Sequence, residues 1–248
     1  MFAPGLRNTR GRQDIRFSEG GPIMKKNLTE IVFIIDKSGS MSGLELDTIG
    51  GFNSMLRKQR EEEGEAYVST VLFDTSQTVL HDRVPLDRIE DMTRNQYRVG
   101  GCTALLDAMG DAIRHIGNVH KYAREEDRPE KTIFIITTDG YENSSRRYSY
   151  EDIRRLVERR KEKYHWEFLF LGANIDAISV AGRFGIHANR AVTYEHDSYG
   201  TSLNYEAMSD ALSSFRCSAP DEAPIADNWK EKVEKDYARR HGKKNRRV

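Results

Sequence analysis

Apolar runs and amphipathic stretches alternate along the chain. Ile31 to Ile35 is an unbroken apolar run that stops at Asp36. A continuous β-branched and aromatic run reads as a strand buried on both faces, as in a parallel sheet. Residues 43–63 then take helical spacing on Ile49, Phe52, Met55, Leu56 and Gln59, with Gly64 as a stop. Val68–Phe73 predicts a second strand. Val79–Val84 is a weaker one, ended by Pro85, and its His81, Asp82 and Arg83 suit an exposed edge. Gly100-Gly101-Cys102-Thr103 opens a helix whose apolar face carries Leu105, Ala108, Met109, Ala112, Ile113 and Ile116. Thr132–Ile136 is another buried run, and it ends in Thr137-Thr138-Asp139-Gly140. A helix over 150–164, a strand over 166–171, a short helix over 178–184, a strand over 191–194 and a helix over 204–215 complete the pattern. Strands alternating with helices predict an α/β fold, a parallel sheet covered on both faces, as one domain over 24–217.

The flanks differ from this core. Residues 1–23 are rich in Gly, Arg and polar residues without a period, which predicts a disordered leader, and Met24 offers a second start. After Cys217 come Pro220 and Pro224, then a segment with nine Lys/Arg against three Asp/Glu from Lys230 to Val248. That composition predicts a charged, basic tail over 218–248, with a helix around Trp229–Arg240. It reads first as a solvated tail and second as an arm for an acidic partner or nucleic acid. On this reading, 24–217 folds without its flanks.

Composition narrows the class. The chain has 248 residues, with 39 Lys+Arg balanced by 39 Asp+Glu, so net charge favours neither nucleic acid nor membrane. Two cysteines, Cys102 and Cys217, make no disulfide framework and lack metal-site spacing. No run reaches the length of a membrane span, and the N-terminal arginines precede no apolar core of a secretory signal. A reducing, cytoplasmic location is expected.

The candidate chemistry lies where the buried runs end. Asp36, Ser38 and Ser40 follow the first, and Asp139 follows another. Thr103 sits in the glycine loop that opens a helix. Each has an ordinary role available, since Asp, Ser and Thr are the preferred helix N-caps. If the two strands are neighbours, these loops open at one edge of the sheet, where open α/β folds bind ligands. Two carboxylates and three hydroxyls, without His or Cys, suit a hard octahedral cation such as Mg²⁺ or Mn²⁺, with Ca²⁺ behind them.

The motif Asp36-Lys37-Ser38-Gly39-Ser40, with distant Thr103 and Asp139, resembles the metal-ion-dependent adhesion site (MIDAS) of von Willebrand factor type A (VWA) domains. The resemblance covers residues 28–215. It implies a Rossmann-like, doubly wound, mostly parallel sheet with one antiparallel edge strand, for which 79–84 is the candidate. It implies Ser38, Ser40 and Thr103 as direct or near-direct ligands, Asp36 and Asp139 acting largely through waters, and a partner's Asp or Glu in the last position. Lacking signal, anchor and disulfides, the chain is closest to the intracellular bacterial or phage type, a non-enzymatic docking module that sometimes works beside an ATPase on another chain. Lys37, Met41, Tyr141 and Asn143 would form the specificity rim.

Two other functions compete. A Mg²⁺-dependent phosphohydrolase of the haloacid dehalogenase type resembles Asp-x-Asp-x-Thr after a first strand, but Ser38 stands where the acid/base carboxylate belongs. A metal-free scaffold would not need five intact donors. No Gly-x-x-x-x-Gly-Lys-Ser/Thr loop is present, which argues against ATP hydrolysis by this chain. Cys102 is expected as a small packed side chain. The seven histidines show no pairing pattern, and Asp107 and Asp111 read as helix-surface charges.

Overall fold

The apolar run at 31–35 forms the middle of β1 (Lys25–Asp36), an interior strand of the sheet. The computed structural model describes residues 25–219 and 225–242. The remaining strands are β2 (Glu65–Phe73), β3 (Gln77–Pro85), β4 (Pro129–Thr138), β5 (Glu167–Ala173) and β6 (Ala191–Tyr194). They form a six-stranded sheet in the order β3-β2-β1-β4-β5-β6. Every neighbouring pair is parallel except β2 with β3, so the weak 79–84 signal is the antiparallel edge strand.

The helices are α1 (Glu45–Glu61), α2 (Leu105–Tyr122), α3 (Tyr150–Tyr164), α4 (Ala177–Arg183), α5 (Ser198–Cys217) and α6 (Glu231–His241). Alternate β1 side chains enter opposite cores, as the two-residue strand period requires. Ile31, Phe33 and Ile35 pack with Phe52 and Leu56 of α1 and Met208 and Leu212 of α5. Val32 and Ile34 pack with Met109 and Ile113 of α2 and Ile153 of α3. The two faces make a Rossmann-like, doubly wound α/β architecture.

Strand ends and caps account for the differences from the predicted spans. Backbone pairing lengthens β1 and β2 beyond their apolar runs, beginning at Leu28 with Glu65. Helix α5 starts at Ser198 rather than Asn204, because the Asp197 carboxylate accepts the Gly200 N–H at 2.7 Å and caps it. Arg83, expected at an exposed edge, reaches inward to Glu30 at 2.8 Å, and Glu30 is completely buried in β1.

The basic C-terminal segment is not a free tail over its described part. Ile225 and Val233 are buried in the same core as α5. Lys230 donates to the carbonyls of Ala188 and Ala191 at 2.8 Å, and Trp229 Nε1 donates to the Asn189 carbonyl. Arg240 pairs with Asp197 and Asp236. The helix expected around 229–240 is therefore present, but it docks on the body. The expected leader, 1–23, lies outside the described residues.

Candidate metal centre

Strand β1 lies between β2 and β4, and the chain runs outward from it in both directions. This is the switch point at which doubly wound sheets open a crevice at their carboxyl ends. Asp36 ends β1, and Asp139 follows directly on β4, whose Thr137 is paired with Ile35. The condition set by the sequence, that the two strands be neighbours, is met.

Backbone bonds hold the three loops together. Gly39 N–H donates to the Gly101 carbonyl at 3.1 Å, and Gly100 N–H donates to the Lys37 carbonyl at 2.9 Å. Gly101 has a positive φ of 73°, and a Cβ there would fall 2.8 Å from Thr75 Oγ1. The position therefore needs glycine for both conformation and space. Thr103 is clamped on both sides: its N–H donates to Asn143 Oδ1 at 2.9 Å, and Asn143 N–H donates back to its carbonyl at 3.1 Å.

The side chains converge. Asp36, wholly buried, accepts Ser38 N–H at 2.7 Å on one oxygen and the Thr138 hydroxyl at 2.6 Å on the other. The Ser38 and Ser40 hydroxyls are 3.1 Å apart, and Ser40 donates to Asp139 Oδ1 at 2.6 Å. A methyl group placed on Gly140 would lie 3.6 Å from Thr103 Oγ1 and 3.7 Å from Ser40 Oγ. Both hydroxyls thus border one small space beside Asp139. The helix-cap role is not taken: Ser38 precedes a single 3-10 turn without a side-chain cap bond, and Ala104, not Thr103, is the N-cap residue of α2.

The electrostatics are lopsided. Asp36 and Asp139 are nearly inaccessible, and no Lys or Arg among the described residues pairs with either. Burial pushes the Asp36 carboxyl above the usual range, against the pull of its bonds from Thr138 and Ser38, and the neighbouring Asp139 charge adds to the rise. Asp139 Oδ2 lies 3.0 Å from His196 Nε2 without either atom completing a hydrogen bond among the described residues. The carboxylate beside it holds the His196 imidazole above the usual histidine range, despite partial burial. Buried negative charge met by His196 at one oxygen and by no Lys or Arg among the described residues, set beside three hydroxyls, fits a small divalent cation. Among the described residues no cluster of three His, Cys, Asp or Glu is placed to hold a metal, so hydroxyls would supply much of the coordination.

Several sequence expectations change here. Lys37 is salt-bridged to Asp74 at 2.5 Å, Met41 is buried, and Asn143 holds Thr103; of the expected rim only Tyr141, 55% exposed, is an open large side chain. Asp107 is not a surface charge. Burial raises its carboxyl, but N–H groups of Arg146, Arg147 and Tyr148 overrule that and hold it below the usual range. It fixes the loop after Asp139 to α2. Cys102 is exposed rather than packed. His196 joins the site without a motif of its own, and its only sequence signal is its place just past β6, at the same sheet edge.

Comparison with known proteins gives a family and a fold. Residues 13–166 match the family model described as "VWA domain containing CoxE-like protein". No curated protein sequence matches the chain. Among solved structures, a von Willebrand factor type A protein from Catenulispora acidiphila superposes with a TM-score of 0.51 at 15% identity, covering 77% of this chain and 43% of that one. Proximal thread matrix protein 1 from the mussel byssus, described with a zinc-occupied MIDAS motif, gives 0.52 at 16% identity over 75% of this chain and 46% of its own. This chain spans less than half the length of either. These likenesses establish the fold, and the family match covers well over half of the sequence: the chain belongs to the family of VWA domain containing CoxE-like proteins.

Proposed function

We propose that this domain is a non-enzymatic binding module that holds a divalent cation, Mg²⁺ or Mn²⁺, and uses it to capture an acidic side chain of a partner protein in the cytoplasm. VWA domains are generally protein-interaction modules, often metal-dependent, which supports the reading at family level. The observation that carries it is the pair of buried carboxylates, Asp36 and Asp139, without Lys or Arg partners at the open edge of the sheet.

Each residue has a task. Ser40 and Thr103 present neutral oxygens to the space beside Gly140, and the Ser38 hydroxyl stands 3.1 Å from that of Ser40. Asp36 and Asp139 supply negative potential from below, and Thr138 and the Ser38 amide fix the orientation of Asp36. Once bound, the cation would supply residual positive charge that a partner's Asp or Glu can complete. Tyr141 stands beside that approach.

The test is a pull-down on the full chain in Mg²⁺ against chelator, comparing wild type with Asp36→Ala. Partners retained in Mg²⁺ and lost both in chelator and in the variant are expected. A partner set unchanged by either would show that binding uses another surface.

A further inference from the structure

A cavity of about 590 Å³ lies at the end of the sheet opposite the candidate metal centre. It opens between the ends of α2 and α3 and the starts of β4 and β5, lined by Gly117, Pro129, Tyr164 and Trp166 together with basic side chains. β4 has 10 residues, so this cavity is roughly 30 Å from the candidate metal centre at about 3.3 Å per residue. Its size falls within the range of small-molecule sites.

Its arginines stand apart from the others among the described residues. Arg60, Arg83, Arg190, Arg216 and Arg240 are buried or half-buried, and each gives its N–H groups to carboxylates or carbonyls. The other two half-buried arginines, Arg128 and Arg160, have no acceptor among the described residues. In both, Nε is buried and unpartnered, and both line this cavity. Burial holds the Arg160 guanidinium below its usual range, and the rise contributed by Tyr164 does not offset this. A buried guanidinium N–H without an acceptor is costly, and among the described residues two such groups line this one cavity, against one carboxylate, Glu130.

Helix dipoles do not explain the pair. Lys121 and Lys163 sit in the last turns of α2 and α3 and offset the negative helix ends. Arg128 is outside any helix, and Arg160 precedes the last turn of α3. The Arg160 guanidinium lies 4.8 Å from the Trp166 ring centre and 5.2 Å from that of Tyr164. A guanidinium stacked on rings keeps its N–H edge free for a bidentate oxyanion. The carboxylate on the wall, Glu130, is turned to the Asn27 N–H at 2.9 Å. Tyr164, 45% exposed, gives the wall an open aromatic surface.

We infer that this cavity binds an organic phosphate carrying a planar aromatic group, of the nucleotide class, with Arg128 and Arg160 on the phosphate and the body against Tyr164. The site needs no divalent cation. The test titrates adenosine monophosphate, ribose 5-phosphate and inorganic phosphate into the full chain in chelator, read by calorimetry and tryptophan fluorescence. Adenosine monophosphate should bind saturably, and tighter than the other two by about tenfold or more. Arg128→Gln and Arg160→Gln should each weaken it about tenfold or more, as expected for losing a charge-assisted contact. Asp36→Ala should leave it unchanged. Melting of each unliganded variant checks folding, and Arg128→Gln serves if Arg160→Gln proves unstable. No binding at millimolar concentration, equal binding of inorganic phosphate, or binding indifferent to both arginines would overturn the assignment.

Discussion

A chain cut after Ala219 will unfold at markedly lower denaturant than one cut after Gly242. The shorter chain lacks Ile225 and Val233, each 1% exposed, and burying such a side chain is worth about 1.5–3 kcal/mol. The pair alone puts the expected loss at about 3–6 kcal/mol, before the Lys230 bonds to two carbonyls are removed. Domains of this kind are stable by only about 5–15 kcal/mol, so the shorter chain should be marginal. Urea unfolding of the two chains measures the difference. Coincident midpoints would mean that α6 rests on the body without supporting it.

A comparable effect is expected inside the sheet. Glu30 is fully buried, and its charge is met by Arg83 at 2.8 Å and by His120 at 3.3 Å, while Oε1 has no partner among the described residues. Removing one member of a buried ion pair typically costs about 3–5 kcal/mol, because the remaining charge is left without compensation. Arg83→Met should lower stability by that order. Glu30→Gln in the same chain should restore most of the loss, since the stranded charge is then gone. A double variant no more stable than Arg83→Met would assign the cost to the lost stacking of the guanidinium on Tyr67, over whose ring centre its Cζ lies at 4.8 Å.

Both effects sit where the sequence was hardest to read. The unbroken run Ile31–Ile35 and its echo at 132–136 are legible because strands buried on both faces have no polar alternative. Asp36, Ser38, Ser40, Thr103 and Asp139 are legible because each follows a recognisable strand or opens a recognisable helix, and the topology brings them to one edge. Arg83 is not, since its partner is on another strand and an arginine in an edge strand ordinarily faces water. Helix α6 reads as solvated because its charged residues outnumber its apolar ones, while Val233 and the preceding Ile225 do the anchoring. Asn143 and Asp107 are polar residues that serve the backbone of a neighbouring loop, a role without local periodicity. His196 reaches Asp139 only because β6 ends at the same edge.

The proposed function requires Asp36, Ser38, Ser40, Thr103 and Asp139 to form one cation site. Its most direct test is a calorimetric titration of Mg²⁺ and Mn²⁺ into the metal-free full chain, paired with thermal unfolding. One saturable site of modest affinity is expected, since neutral hydroxyls bind less strongly than direct carboxylates. A hundredfold excess of cation over Kd should raise stability by about 2.7 kcal/mol. Asp36→Ala, Thr103→Ala and the double change Ser38→Ala with Ser40→Ala should each abolish both the heat and the stabilisation while the metal-free fold survives. Divalent binding of undiminished affinity in all three variants would place the cation elsewhere and leave these five residues without it.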